Sequence, residues 1–255
     1  MRVTAGGGSV PFLEMKRIGK AFGRTRALDD VDLRVDRGMV HTVLGENGSG
    51  KSTLVKTLSG VLTPDSGEIA IGGTARPLSS PRDARAAGVA TVFQEVLVSP
   101  NRSVEDNVLL GLDGPIRRRV PRAERKQRAE TALAQVSDVH IPLHVDAGRL
   151  DLMQQHQVAV ARAFAMDPKL LILDESTAAL DIPARDALFR AVRRVTATGA
   201  AVVFISHRLD EVLELSDVVT VLRSGRKIAN LDSEALSERR LLTLLNPKAA
   251  EEGIE

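Results

Sequence analysis

The sequence predicts an α/β fold with a parallel sheet at its core, and three observations support that prediction. An apolar run at Val40–Leu44 leads into a glycine-rich segment and then into residues that favour a helix. Across residues 170–222, short apolar runs alternate with amphipathic helical patterns, which is typical of a parallel sheet covered by helices on both faces. Between residues 96 and 166 helical signals dominate, and we find no convincing strand pattern there.

These observations predict the organisation of the chain. Its 255 residues are expected to form one two-lobed domain. Residues 1–95 and 167–255 are predicted to form the catalytic core, which includes an antiparallel β subdomain near its start. Residues 96–166 are predicted to form a helical subdomain inserted into that core.

In the first part of the chain, turn residues separate short apolar or alternating runs. Residues 53–58 are predicted to form a helix after the glycine-rich segment, and Gly60 ends it. Gly72 and Gly73 form a later turn. Ser80 and Pro81 begin a short helix that is predicted to end at Gly88. The predicted strands here are residues 12–18, 27–35, 40–44, 68–71 and 89–93.

Helix signals define the insert, and the alternation of strands and helices resumes after it. Ser103 with Asp106 resembles a capping box, Pro121 occupies a helix start, and Glu124 with Arg128 forms a predicted i,i+4 ion pair. Beyond Pro168 the predicted strands are residues 170–173, 201–206, 218–222 and 227–231. The predicted helices are residues 184–198, 209–215 and 236–245.

Composition excludes several classes of protein. Hydrophobic residues make up 43% of the chain, but the longest apolar run, residues 200–205, is far shorter than the ~20 residues of a membrane helix. Residues 1–11 lack the apolar core of a signal peptide and the chain has no cysteine, so we expect a cytoplasmic protein. A net charge of +2 with no Trp or Tyr does not favour nucleic-acid binding.

One basic cluster stands out locally, with Glu124 as the only acidic residue within it. It could be a solvated helix face, or it could lie near anionic lipid or a protein partner, and the sequence leaves both alternatives open. The cluster consists of Arg117, Arg118, Arg119, Arg122, Arg125, Lys126 and Arg128.

The glycine-rich segment has the pattern GxxxxGK[ST] and lies between a predicted strand and a predicted helix, as a phosphate-binding loop requires. Its glycines permit backbone conformations in which successive amides turn toward a polyphosphate, and the following helix adds its positive N-terminal end. Lys51 is expected to neutralise the β- and γ-phosphates, and the Ser52 hydroxyl to bind Mg²⁺. The predicted nucleotide contacts in this segment are Gly45, Glu46, Asn47, Gly48, Ser49, Gly50, Lys51, Ser52 and Thr53.

Two adjacent carboxylates follow the apolar run at residues 170–173. Asp174 at the end of a buried parallel strand can hold Mg²⁺ through water, and Glu175 can act as general base on an attacking water. The alternative is an acidic strand end or helix cap. The phosphate loop upstream favours the catalytic interpretation of this pair, because both features would serve the same reaction.

In order along the chain, these residues resemble the motifs of the nucleotide-binding domain of ATP-binding cassette (ABC) transporters. The resemblance implies a P-loop NTPase-type core, with Gln94 as a Q-loop residue that binds Mg²⁺ and senses the membrane partner. It also implies that His207 contacts the γ-phosphate, that Asp181 belongs to the D-loop, and that Phe22 stacks on adenine. Taken alone, His207 could be a structural histidine, Phe22 a core residue and Gln94 a helix cap.

The segment that corresponds to the family signature departs from the usual Leu-Ser-Gly-Gly-Gln pattern. In the family, the residue at the position of Asp151 faces the γ-phosphate bound to the opposite subunit, so the resemblance implies that a carboxylate here weakens closure of a dimer around ATP. Asp151 is also a good helix N-cap. The segment consists of Leu150, Asp151, Leu152, Met153 and Gln154.

Further sequence details around the signature-like segment and the acidic pair are similar to the first cassette of the fused ATPases that drive ribose, xylose and galactoside uptake. It includes Gln154, Gln155 and Gln157, and the segment 175–181, in which Ser176 replaces the usual proline. The resemblance implies an Mg·ATP-hydrolysing subunit at the cytoplasmic face of the membrane. Its partners would be permease subunits, a second cassette of the same or another kind and, indirectly, a solute-binding protein.

Two other classes of protein compete with this interpretation. A soluble ABC-type ATPase, acting as a regulatory or nucleic-acid-associated switch, would be supported by a long coiled-coil insert or a strongly basic face, and the sequence has neither. A P-loop kinase would leave Gln94, the Asp174–Glu175 pair and His207 without a role. The transported molecule is not encoded in this chain.

Overall fold

The structure is a computed structural model, and it describes residues 11–112 and 120–246. The strands over these residues are β1 Leu13–Phe22, β2 Thr25–Val35, β3 Val40–Leu44, β4 Ser66–Ile71, β5 Thr74–Ala75, β6 Val89–Val92, β7 Leu170–Asp174, β8 Ala201–Ser206, β9 Val218–Arg223 and β10 Arg226–Asp232. The α-helices are α1 Lys51–Leu58, α2 Pro81–Ala86, α3 Val104–Val108, α4 Arg122–Val136, α5 Leu152–Ala165, α6 Ile182–Ala197, α7 Leu209–Leu215 and α8 Glu238–Leu245.

The strands form two sheets of different kinds. The first part of the chain forms a four-stranded antiparallel sheet in the order β2-β1-β4-β5. The second sheet has six strands in the order β10-β9-β3-β8-β7-β6. Its strands pair in parallel from β9 to β6, and β10 is an antiparallel strand at the edge. This confirms the predicted parallel core and the predicted antiparallel sheet.

The parallel sheet is buried on both faces, as its continuous apolar strands predicted. Every residue of β3, β7 and β8 is buried. Leu171 and Leu173 of β7 pack in the core cluster that includes residues of α3 to α6, whereas Leu170 and Ile172 pack in the cluster on the side of α1, β1 and β2. Alternate residues of one strand therefore join the sheet to two different layers.

This topology determines where the chemically important residues meet. Parallel strands have their carboxyl ends at the same edge of the sheet, and ligands of open α/β sheets bind outside those ends. The glycine-rich loop follows β3, Gln94 lies just after β6, Glu175 follows β7 and His207 follows β8. Four sequence-distant segments are thereby brought to one edge.

Most predicted elements agree with the structure, and the differences lie mainly at their ends. Strand β8 and helix α7 coincide with the predicted ranges, whereas α1 begins at Lys51 and β1 continues to Phe22. The two-residue strand β5 was not predicted, because Thr74 and Ala75 are exposed and carry no apolar alternation. Helices α3, α4 and α5 occupy the described part of the stretch between β6 and β7.

One expectation about helix α4 was wrong, and one alternative left open for the basic cluster does not hold for Arg125. Arg128 does not pair with Glu124; its guanidinium binds the Ala165 carbonyl oxygen and the Asp167 carboxylate. Arg125 does not belong to a solvated basic face, because its side chain is 2% exposed and bridges Glu105 and Asp106 at 2.8 and 2.7 Å. Acidic residues about 20 positions earlier, on α3, therefore compensate a charge that the local sequence left unpaired.

The remaining basic residues divide between two parts of the chain. Arg122 and Lys126 are exposed on α4. Arg117, Arg118 and Arg119 lie outside the described residues. Over residues 11–112 and 120–246, no helix combines the length and apolar character that crossing a membrane requires.

Candidate nucleotide-binding and catalytic site

The phosphate loop runs from the end of β3 to the start of α1, and its shape depends on glycine. Gly50 has φ 108°, a left-handed backbone that disfavours other residues, and a Cβ there would lie 2.5 Å from the carbonyl oxygen of Ala27. A Cβ at Gly45 would collide with the Ser49 side chain and with the carbonyl oxygen of Leu222. The loop is therefore packed tightly against β2 and the end of β9.

Lys51 lies in the first turn of α1, with its ammonium group directed back across the loop. Its Nζ donates to the carbonyl oxygens of Gly45 and Glu46 at 2.7 and 3.0 Å, and the residue is only 6% exposed. Burial lowers the pKa of Lys51, an effect that the charges of Glu175 and Asp174 oppose. The ammonium charge is thus held against the loop that the motif assigns to a polyphosphate.

The other loop residues present polar groups of two kinds. Glu46 and Asn47 are exposed, as is Ser52 in the first turn of α1, whereas Thr53 is half-buried. The Ser49 hydroxyl oxygen is buried and has no hydrogen-bond partner among the described residues. An unpaired buried hydroxyl inside this loop fits a site whose ligand supplies an acceptor or donor.

Asp174 ends β7 and is 6% exposed. Burial, together with the charge of the adjacent Glu175, raises the pKa of this carboxyl group to about 6, and the Lys51 charge acts in the opposite direction. The oxygen donors of Ser52, Gln94 and Asp174 are of the type that Mg²⁺ prefers. The donor set at this edge of the sheet therefore fits an Mg²⁺ ion.

Glu175 lies between two other residues singled out in the sequence. Its Oε2 accepts a hydrogen bond from Gln94 Nε2 at 3.0 Å, and its Oε1 is 3.4 Å from His207 Nδ1. Its backbone has φ 46° and is held by a hydrogen bond from its own amide to the Ile205 carbonyl oxygen. Two residues that are far apart in the sequence, Gln94 and His207, therefore lie against the carboxylate of Glu175.

A cavity of about 210 Å³ opens beside this carboxylate. His207, which is exposed, lies on its wall together with residues that follow β7 and β8. Its lining consists of Glu175, Thr177, Ala178, Ser206, His207 and Arg208.

Phe22 ends β1, and its ring is largely exposed, at 49%. The Lys20 ammonium lies 5.9 Å from the ring centroid. Phe22 pairs with Thr25 of β2, two residues before Ala27, whose carbonyl oxygen borders Gly50 of the phosphate loop. The structure therefore places an exposed aromatic ring on the strand pair that contacts the loop, and it excludes Phe22 from the buried core.

The signature-like segment begins helix α5. Asp151 is its N-cap and accepts a hydrogen bond from the Gln154 amide at 2.7 Å, and the Gln154 side chain returns a weaker contact to the Asp151 amide, which completes a capping box. Leu150 and Met153 are half-buried, and Leu152 is 63% exposed. The expectation that Asp151 serves as a helix cap is confirmed.

Asp181 is also a helix cap. Its carboxylate accepts a hydrogen bond from the Ala184 amide at the start of α6. It is exposed, and so is the following Ile182. These exposed helix starts leave Asp151, Leu152 and Asp181 open to a partner surface.

Sequence reasoning missed Glu211, which lies in the first turn of α7 and is fully buried. It accepts hydrogen bonds from Thr177 and Ser206, two residues of the cavity wall. A signal was present, because Glu211 follows His207 by four residues, at the start of a predicted helix.

The phosphate loop after a parallel strand, with acidic residues at the end of a neighbouring strand, characterises a P-loop nucleotide-binding protein. Comparison with known families agrees: the ABC transporter family matches residues 28–178. The chain belongs to the ABC transporter family and is an ATP-binding domain of that family.

Curated relatives refine this placement. The chain is 39% identical over 237 residues to the ribose import ATP-binding protein RbsA 2 of Escherichia coli, covering 93% of this chain and 47% of the relative. It is 40% identical over 233 residues to RbsA 2 of Burkholderia ambifaria, covering 91% of this chain and 46% of the relative. The chain spans about half the length of the curated relatives that it matches.

Solved structures agree with the fold. An ATP-binding cassette of an ABC transporter superposes with a TM-score of 0.80 at 28% identity, covering 97% of this chain and 100% of that one. The ADP conformation of a cassette superposes with a TM-score of 0.75 at 26% identity, covering 96% and 98%.

Proposed function

We propose that this chain is the ATP-hydrolysing subunit of an ABC importer, and that it binds two nucleotides at the head-to-tail interface of a cassette dimer. The observation that carries the proposal is the assembly of Gln94, Glu175 and His207 at the edge of the sheet that also holds Lys51. A purely structural carboxylate would not need to share its two oxygens between an amide and an exposed imidazole.

The binding roles follow from the positions of the polar groups. The loop amides and Lys51 hold the β- and γ-phosphates, with Lys51 exchanging its carbonyl contacts for phosphate oxygens. Phe22 offers its exposed ring to the adenine base. Ser52, Gln94 and Asp174 hold Mg²⁺, directly or through water, and the ion when bound neutralises charge on the phosphates.

The catalytic roles belong to residues after β6, β7 and β8. Glu175 accepts the proton of the attacking water. Gln94 orients the Glu175 carboxylate by donating a hydrogen bond to its Oε2. His207 contacts the γ-phosphate from the loop after β8. Asp151 and its neighbours, together with Asp181, face the nucleotide site of the second cassette.

The substitution Glu175→Gln tests this assignment. The amide keeps the shape of the side chain but cannot accept a proton from water, so steady-state ATP hydrolysis should fall by at least about 100-fold. Nucleotide affinity, measured by calorimetry, should stay within about twofold, because Lys51 and the loop are unchanged.

The matched control is Glu214→Gln, which makes the same chemical change on an exposed side chain of α7. It should retain the wild-type rate. Full hydrolysis by Glu175→Gln would place the general base elsewhere.

The transport role rests on the similarity to ribose import proteins. We propose that the chain acts at the cytoplasmic face of the membrane on permease subunits, with a sugar as the transported molecule delivered by a solute-binding protein. Expressed alone, the chain should remain off membranes and should join them when its permease is co-expressed. Recruitment by anionic lipid alone, lost on neutralising Arg117, Arg118 and Arg119, would contradict this proposal.

A further inference from the structure

Glu211 is a buried carboxyl group that the proposed chemistry does not use. Its side chain is 0% exposed, in the first turn of α7. A buried carboxylate is unfavourable unless hydrogen bonds and opposite charge compensate it, so its partners indicate what it does.

Those partners come from both loops that carry the proposed catalytic residues. Glu211 Oε2 accepts from Thr177 Oγ1 at 2.9 Å and from Ser206 Oγ at 2.7 Å. Its Oε1 lies 3.3 Å from Nε of Arg208. Thr177 follows Glu175 by two residues, and Ser206 and Arg208 flank His207. One carboxylate thus joins the segment after β7 to the segment after β8.

A further hydrogen bond fixes the loop around His207. The Arg208 amide donates to Ser206 Oγ at 3.0 Å. Ser206 has one hydroxyl proton, which it donates to Glu211, so its lone pairs remain available to accept from Arg208. The backbone on both sides of His207 is therefore fixed through the same serine.

The segment after β7 needs such support. Glu175 has φ 46°, in the left-handed region that residues other than glycine rarely adopt, and such conformations persist where the surroundings hold them. Two contacts do so: the Glu175 amide donates to the carbonyl oxygen of Ile205 in β8, and Thr177 is bound to Glu211 in α7.

We propose that Glu211 is a positioning residue that sets the distance between Glu175 and His207 by binding Thr177 and Ser206 together. This inference rests on the proposed catalytic roles of Glu175 and His207. Glu211 acts through its two hydroxyl partners, so its loss should weaken the chemical step while leaving nucleotide binding intact.

The test measures kcat and KM for ATP with the full chain carrying Glu211→Ala or Thr177→Val. Both should lower kcat about tenfold or more and leave KM within about twofold, because misplacement affects the chemical step. Thr177→Val keeps the shape of threonine, so it remains informative if Glu211→Ala does not fold. Glu211→Gln and Thr177→Ser keep an acceptor and a hydroxyl, respectively, and should restore much of the rate.

A spectroscopic readout separates positioning from general destabilisation. In chain labelled at histidine, the His207 ring signals, assigned with His207→Gln, should shift in Glu211→Ala and Thr177→Val. They should stay in place in Glu214→Gln, which changes the same helix one turn later.

Two results would overturn the inference, and they distinguish a wrong positioning role from a wrong general base. If Glu175→Gln is inactive but the Thr177→Val and Glu211→Ala variants are folded, with wild-type kcat and an unmoved His207 signal, the positioning role alone is wrong. If Glu175→Gln itself retains wild-type kcat, the proposed general base is wrong and the positioning role falls with it.

Discussion

Lys51 is the residue on which nucleotide binding should depend most directly. The residue is 6% exposed, and its ammonium donates to two carbonyl oxygens of the loop that the motif assigns to a polyphosphate. A unit charge about 4 Å from a phosphate charge contributes about 4 kcal/mol at an effective dielectric constant near 20, before desolvation. Lys51→Ala should therefore weaken ATP binding at least about 100-fold in calorimetry.

The control for this prediction lies on the same helix. Lys56 is exposed in the last turn of α1, and Lys56→Ala should leave ATP affinity nearly unchanged. Wild-type affinity in Lys51→Ala would remove the phosphate assignment from this loop.

The role of a residue could be predicted from the sequence where a motif fixes the local geometry. It could not be predicted where the burial of the side chain depends on a partner far away in the sequence. Lys51 and Asp174 were found because the loop and the apolar strand specify their surroundings. The burial of Arg125 depends on Glu105 and Asp106, and that of Glu211 on Thr177 and Ser206. Charge counted along the sequence cannot reveal compensation supplied from another element.

At the scale of elements, helix α5 contains a group that makes stability depend on pH. His156 is 2% exposed, its Nδ1 has no hydrogen-bond partner among the described residues, and burial lowers its pKa to about 4. In the unfolded chain the imidazole has its ordinary pKa near 6.5, so between about pH 4 and 6.5 the unfolded chain binds a proton that the folded chain does not. Its stabilising contribution is therefore complete above about pH 6.5 and is lost as pH falls toward 4.

Replacing His156 should remove this dependence. Between pH 7 and pH 5 the buried imidazole accounts for a loss of about 2 kcal/mol in the free energy of unfolding. The loss measured by urea denaturation should be smaller by about that amount in His156→Leu. His41 and Asp174 titrate in both proteins, so their contributions cancel in the difference.

Phe164→Leu is the matched control, because it alters packing on the same helix without changing a titratable group. It should lower stability equally at both pH values. An identical pH dependence in His156→Leu and wild type would show that His156 accepts its proton in the folded state.

The elements themselves were largely predictable because periodicity and turn chemistry agree. Residues 201–205 are a continuous apolar run that ends at Ser206, and residues 209–215 have an amphipathic helical pattern. Both segments form the elements that were predicted for them. The start of α1 was predicted two residues late because the left-handed Gly50, with no side-chain cap, begins it at Lys51. Side-chain caps such as Asp151 could be inferred from sequence, whereas a glycine cap gives a weaker signal.

At the scale of the whole molecule, Asp151 should affect pairing with a second cassette. If it faces a γ-phosphate held by the partner, a carboxylate within about 4 Å costs about 4 kcal/mol at an effective dielectric constant near 20. This exceeds the ~1 kcal/mol gained from capping. We expect weak ATP-dependent dimerisation of identical chains, and efficient hydrolysis only with a second cassette carrying a standard signature.

Asp151→Asn and Asp151→Ser separate charge from capping, because both residues cap helices well. Thermal stability should change little, and the ATP-dependent dimer, measured by analytical ultracentrifugation, should tighten at least about tenfold. Asp146→Asn removes a nearby exposed charge and should leave dimerisation unchanged. Unaltered dimerisation in both Asp151 variants would show that this carboxylate serves only as a cap.

The strand order has a consequence for biosynthesis. β3, which leads into the phosphate loop, pairs only with β8 and β9, and Val40 meets Val202, about 160 residues later. At typical translation rates, β3 waits roughly 8 to 30 s on the ribosome before its first partner is made. During that interval its backbone and apolar side chains are open to chaperones or to aggregation. Slowing translation between β7 and β8 should therefore increase the demand for chaperones far more than slowing it after β9.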